Sequence, residues 1–199
     1  MQEATKKMIE PHHRALIFDC DGTLADSMPV HWIAWNTTLQ RHGLDHLLPH
    51  ERFMSLGGVP AVQIFEMLAE ESGCELDPEQ LTREKYEAYF DHADQIVRID
   101  AVAAVALEQH GKLPMAVATG STRKGVQRTL SAIGMLDHFE ATVSADDVTH
   151  PKPHPETFLK AAELLGVEPQ ACLAFEDAEP GLVAARAAGM EVIDVATMR

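Results

Sequence analysis

A chain of 199 residues, 46% of them apolar and with charge dispersed along its length, is long enough to bury one core with a modest insertion and is not a disordered chain. Its formal net charge of -15 repels nucleic acid, so an anionic ligand must be met by a few local cations, a helix N-terminus or a metal ion. Cys20, Cys74 and Cys172 show no paired spacing, no apolar run reaches the roughly 18 residues of a membrane span, and the first fifteen residues are polar; a reducing cytoplasm with neither secretion nor membrane insertion is the expectation.

In chain order, Arg14–Phe18 reads as a buried strand that ends in Asp19-Cys20-Asp21-Gly22-Thr23-Leu24. Two carboxylates spaced two apart fall on one side, Gly22 permits a sharp turn, and ligand sites of open α/β sheets lie at such carboxyl ends. A solvated turn is the plain alternative, because Asp and Gly favour turns. Cys20 points to the opposite side and reads as small apolar filler. From Pro29 to Asp94 there is no apolar strand, and the stretches His31–Gln40, Val62–Glu71 and Pro78–Phe90 predict a helical insertion.

Beyond the insertion, apolar strands are predicted at Met115–Ala118, Ala141–Ser144, Cys172–Phe175 and Glu191–Val195. Between them lie helices over Val126–Ile133, Phe158–Leu165 and Leu182–Ala188, stopped by Gly134, Gly166 and Gly189. This alternation is the grammar of a doubly wound α/β domain. The second strand ends in Thr119-Gly120-Ser121, whose hydroxyls and backbone suit phosphate oxygens, or simply an N-cap. After the third comes His150-Pro-Lys152-Pro-His154-Pro-Glu156, where prolines hold one lysine in place, or merely start the next helix. The fourth runs into Glu176-Asp177, hard oxygen ligands that suit Mg2+, or acids at a helix N-terminus.

The ordered set of acid pair, hydroxyl, lysine and acid pair resembles the haloacid dehalogenase-like phosphatases, through Asp-x-Asp-Gly-Thr-Leu at 19–24, Thr-Gly-Ser at 119–121, Lys-Pro-x-Pro-Glu at 152–156 and Glu-Asp at 176–177. The resemblance implies a Rossmann-like, doubly wound parallel-sheet α/β core with an inserted α-helical cap, divided as 1–28 and 95–199 for the core and 29–94 for the cap. It implies Asp19 as nucleophile, forming an aspartyl-phosphate, and Asp21 as general acid/base that also offers the metal its carbonyl. Mg2+ is expected on Asp19, Asp21 and Asp177, with Glu176 as auxiliary ligand. Thr119, Gly120, Ser121 and Lys152 are expected on the phosphate.

Asp26-Ser-Met-Pro-Val-His31 with Trp35, Arg83-Glu-Lys85 and Phe175 to Arg186 are similar to the β-phosphoglucomutase-like group, which includes fructose 1-phosphate phosphatases. His31 and Lys85 thereby become cap residues that contact substrate or couple closure to Asp21; alternatively His31 covers an apolar face and Lys85 is a solvated helix charge. The group's mutases carry an arginine in the cap loop aligned with Leu56–Pro60, which this chain lacks, unless Arg52 reaches. The expected substrate is therefore a small sugar phosphate, hydrolysed rather than isomerised, by a cytoplasmic monomer that engages neither nucleic acid nor membrane. His12, His13, His42 and His46 are expected at the solvated surface.

Overall fold

Ala15–Phe18 carries no polar side chain, is wholly buried, and forms the central strand, β1. The computed structural model describes residues 8–73 and 75–198, so Cys74 lies outside the described residues. Strand β1 pairs in parallel with β4 (Met115–Ala118) on one side and β6 (Cys172–Glu176) on the other. Outside them lie β5 (Ala141–Val143) and β7 (Glu191–Asp194), giving the order β5-β4-β1-β6-β7. All five predicted strands are present, within one residue at either end.

Because both faces of a parallel sheet are covered, its inner strands are apolar up to their carboxyl ends, and the two faces differ mainly in size of side chain. Ala15, Ala116, Ala118 and Ala174 line one face, and these small residues let α7 (Glu156–Leu165) and α8 (Glu179–Ala187) lie close. Leu16, Phe18, Val117 and Phe175 line the other, where Phe18 stacks on Phe175 at 4.7 Å. Each such buried phenyl contributes about 1.5–3 kcal/mol of transfer free energy. Helices α5 (Asp100–Gln109) and α6 (Arg123–Ala132) cover that face with Val102, Val105, Val126 and Leu130.

Between β2 (Ala25–Asp26) and β3 (Val97–Arg98), a two-residue antiparallel pair, the described residues contain only helices: α1 (Met28–Arg41), α2 (His50–Ser55), α3 (Ala61–Ser72), α4 (Pro78–Phe90) and short 3-10 turns. Asp77 caps α4 by accepting from Gln80 N at 2.9 Å, with Pro78 as the first helical residue. Helix α1 packs on α4 and Trp35 meets Phe65 at 4.4 Å. Tyr89 on α4 shares a 2.6 Å hydrogen bond with Thr129 on α6, tying this layer to the sheet's helices.

Helix α5, the ribbon β2–β3 and helix α2 were not expected. Residues 101–106 are all Ala or Val, with no polar stripe to mark a helical face, and two-residue strands carry no period. His13 corrects the expectation of a solvated histidine: the turn before β1 folds it inward to 3% exposure, its Nδ1 accepting from Glu10 N at 2.9 Å, and burial lowers its pKa. His12, His42 and His46 are exposed. Cys20 is buried in the core, and burial raises its thiol pKa. No helix among the described residues is long and apolar enough to cross a membrane.

Candidate active site

The carboxyl ends of β1, β4 and β6 meet under the helical layer, as the strand order requires: β1 lies between the other two. Lys152, on the loop before α7, is 1% exposed and its ammonium donates to Asp19 Oδ1 at 2.8 Å and Glu176 Oε2 at 2.7 Å. Lys152 is therefore a buried cation, and the prolines around it do more than start the next helix. A long aliphatic stem carries the charge under the sheet edge because two carboxylates wait there. Burial opposes the ammonium's charge, but Asp19 and Glu176 hold its pKa above the ordinary value. Burial and the neighbouring Glu176 push Asp19 up to about 7, against the pull of Lys152, since one ammonium serves two acids.

Asp19, Glu176 and Asp177 each offer an oxygen, all lying within 4.8 Å of one another. Thr23 donates to Asp177 Oδ1 at 2.9 Å, and Asp177 leans against Gly22, where a Cβ would overlap its carboxylate. Gly22 also has φ +92°, so this position needs glycine for both backbone and space. Glu176 likewise fills the space above Gly181, and its Oε1 accepts from Asp177 N and Ala178 N. An all-oxygen group of three acids fits Mg2+ by the chemistry of its donors.

Asp21 faces a different set of partners. Ser27 Oγ and Ser121 Oγ each donate to its carboxylate at 2.6 Å, and His31 Nε2 lies 3.2 Å away. Burial alone would raise its pKa, but His31 and the hydroxyl donors outweigh it and hold Asp21 well below the usual carboxylate range. Lys85 Nζ sits 2.8 Å from His31 Nδ1, and His31 stacks on Tyr89 at 4.2 Å. An ammonium only donates, so Nδ1 accepts and Nε2 carries the proton toward Asp21. Lys85 is 2% exposed, which corrects the solvated reading, and burial brings its pKa down to about 7.

The Thr119-Gly120-Ser121 corner is not an N-cap: Thr122 caps α6 by accepting from Gly125 N, while Tyr86 Oη accepts from Thr122 N at 3.0 Å. Gly120 lies directly under Gly58 of the α2–α3 loop, and a Cβ there would sit 2.8 Å from Gly58 C and closer still to its oxygen. A Cβ at Gly57 would come 3.1 Å from Ala178 Cβ, a tight contact but not an overlap. The helical layer therefore closes over the strand ends through glycine, leaving a cavity of about 60 Å3 between Asp19, Asp21, Thr119 and Ser121 below and Met28, Phe53 and Ile64 above. Arg52, left open as a cap-loop cation, instead donates to Glu71 at 2.7 Å and to Leu47 O, and is absent from the cavity wall.

Sequence reasoning missed Ser27, Thr23 and Tyr86. Ser27 had a signal, standing six residues after Asp21 beside a helix-starting Met-Pro; Tyr86 had none beyond its neighbour Lys85.

Residues 16–195 match the model of the haloacid dehalogenase-like hydrolase family. The chain is 40% identical over 187 residues to the fructose-1-phosphate phosphatase YqaB of Escherichia coli K12, covering 92% of this chain and 96% of that one. It is 33% identical to hexitol phosphatase A of the same organism, covering 92% and 82%. A crystal structure of β-phosphoglucomutase from Clostridium difficile superimposes with a TM-score of 0.81 at 26% identity, over 90% of this chain and 83% of that one. With four motif segments converging at one sheet edge and relatives matched over nearly their whole length, the chain belongs to the haloacid dehalogenase-like hydrolases and is an enzyme of their phosphatase kind.

Proposed function

We propose that the enzyme is a Mg2+-dependent phosphatase that hydrolyses a small sugar phosphate of the fructose 1-phosphate or 6-phosphogluconate type through a phosphorylated Asp19. The observation that carries this reading is the separation of two carboxylates in one cavity: Asp19 on the Lys152 ammonium, Asp21 on hydroxyls and an imidazole. Asp19 attacks phosphorus and the P–O bond to the sugar breaks, with Asp21 delivering a proton to the leaving oxygen; Asp21 then takes a proton from water that attacks the aspartyl-phosphate.

The resting proton affinities run opposite to these roles, with Asp19 raised and Asp21 lowered. Asp19, Asp177 and the Asp21 carbonyl, with Glu176 as auxiliary ligand, would hold Mg2+, whose charge would keep Asp19 ionised and offset phosphate repulsion. A dianionic phosphate beside Asp21 raises its proton affinity, and Ser121 turning its hydroxyl to the phosphate removes a donor from Asp21. Thr119, the Gly120 and Ser121 backbone and Lys152 bind the non-reacting oxygens.

Residues 29–94 act as a cap whose closure excludes water, and the Lys85–His31–Asp21 chain couples that closure to the general acid. The cavity holds little more than a phosphate when closed, so the cap opens to admit the sugar. A phosphomutase of β-phosphoglucomutase type is the second reading, favoured by the likeness in fold. It needs a cationic seat for a second phosphate; the basic groups on the cavity's cap side, Lys85 and His31, are engaged with each other and with Asp21, and Phe53, Leu56, Val59 and Ile64 beside them are apolar. We infer a cytoplasmic monomer acting on a free metabolite.

The test is phosphate release from fructose 1-phosphate, 6-phosphogluconate and β-glucose 1-phosphate, with Mg2+ and with EDTA, for the wild type and Asp19→Asn. Mg2+-dependent release that disappears in the variant is expected. Glucose 6-phosphate formed from the last substrate with little free phosphate would make the enzyme a mutase, and release by Asp19→Asn at the wild-type rate would remove the covalent step.

A further inference from the structure

The loop that carries Lys152 has chemistry on its outer side that phosphate transfer does not use. His150 and His154 flank the lysine, two residues away on either side, and their rings lie 4.8 Å apart at 41°. Both face Glu156, the first residue of α7: His150 Nδ1 is 2.9 Å and His154 Nδ1 3.9 Å from Glu156 Oε2. One ligand atom from each of the three residues falls within 4.8 Å of the others.

We propose that His150, His154 and Glu156 form a binding site for a divalent transition-metal ion of the Zn2+ class, separate from the oxygen-ligand group around Asp19. Zn2+ takes imidazole nitrogen and carboxylate oxygen at about 2.0–2.1 Å, which places tetrahedral ligand atoms about 3.3–3.5 Å apart. The two separations to Glu156 Oε2 bracket that distance and all three ligand atoms lie within 4.8 Å of one another, so side-chain shifts on the order of 1 Å complete three corners and water takes the fourth. The donor set excludes Mg2+ as the preferred ion, because two of the three ligands are nitrogen.

The ligands are also held in advance. Pro151, Pro153 and Pro155 alternate with them and restrict φ on each side. The Glu156 carboxylate accepts from Thr149 N at 2.8 Å and His150 N at 2.9 Å, bonds that orient a metal-binding carboxylate. Two contacts must be exchanged. His150 Nδ1 shares a proton with Glu156, and metal binding moves it to the other ring nitrogen or to solvent, which reaches a side chain 64% exposed. His154 Nδ1 gives up a long, 3.3 Å bond from Glu156 N.

The experiment is calorimetric titration of the full chain with ZnCl2 near neutral pH in excess Mg2+, which fills the acid site. Wild type, His150→Ala, His154→Ala and His12→Ala are compared; the last is a control, since His12, His13 and Glu191 form another histidine-containing group among the described residues. One Zn2+ per chain is expected, weakened at least about tenfold in both loop variants and unchanged in His12→Ala. Zn2+ affinity that is the same in wild type and both loop variants, that falls only with His12→Ala, or that is absent in wild type would overturn the site. The readout is binding, so it stands whatever the substrate proves to be.

Discussion

Replacing Gly181 with alanine separates two physical expectations by sign. Gly181 lies in the first turn of α8, and helix propensity alone makes Gly→Ala stabilising by about 1 kcal/mol. The structure predicts the reverse. A Cβ at Gly181 would be 2.6 Å from Glu176 Oε1 and nearer still to the other carboxyl atoms, and Glu176 is 1% exposed, so its carboxylate can move only by giving up buried partners. Glu176 would have to leave Lys152, at 2.7 Å, and the N–H groups of Asp177 and Ala178. Breaking a buried pair of this kind costs about 3–5 kcal/mol, which leaves a net loss of about 2–4 kcal/mol. For a chain of this size that lowers Tm by roughly 5–15 °C. Differential scanning calorimetry at neutral pH measures it, with Glu176→Ala as partner in a double-mutant cycle: once the carboxylate is gone, Gly181→Ala should be neutral or stabilising. An unchanged or raised Tm for Gly181→Ala alone would refute the reasoning.

Gly120→Ala tests closure. Its Cβ pushes Gly58 outward by about 1 Å, a misplacement on the scale that costs about a hundredfold in rate; kcat/KM for phosphate release should fall accordingly with Tm nearly unchanged, and a value within twofold of wild type would mean the two loops do not meet during turnover. Lys85→Met tests the buried ammonium through pH. With a folded pKa of about 7 against about 10.4 when unfolded, the unfolded chain binds more protons between those values, so wild-type stability rises with pH across that window. The variant should therefore hold its greatest advantage over wild type below pH 7 and lose it progressively toward pH 10 in chemical denaturation; a difference independent of pH would mean that Lys85 is not desolvated.

The sheet was legible because a strand buried on both faces shows as an unbroken apolar run, as in Ala15–Phe18 and Met115–Ala118, and because glycine marks helix ends, as Gly166 does with φ +66°. The site's acids, hydroxyls and lysine were legible because each follows a strand. What remained hidden depends on approach in space. No spacing reveals that Gly120 faces Gly58, that Arg52 turns to Glu71, or that Lys85, between two glutamates in sequence, reaches inward to His31. Helix α5 escaped because alanine and valine leave its faces alike.

Ala25 pairs with Arg98 and Asp26 with Val97, so the chain leaves the sheet and returns to it at one doorway. Everything beyond that doorway can lengthen, shorten or be exchanged without disturbing the hydrogen bonds of β1 to β4 and β6, since closing a longer excursion costs only slowly more. If the enzyme works as proposed, substrate range can thus be rewritten over generations in one uninterrupted segment, while the apparatus for phosphorus is inherited intact.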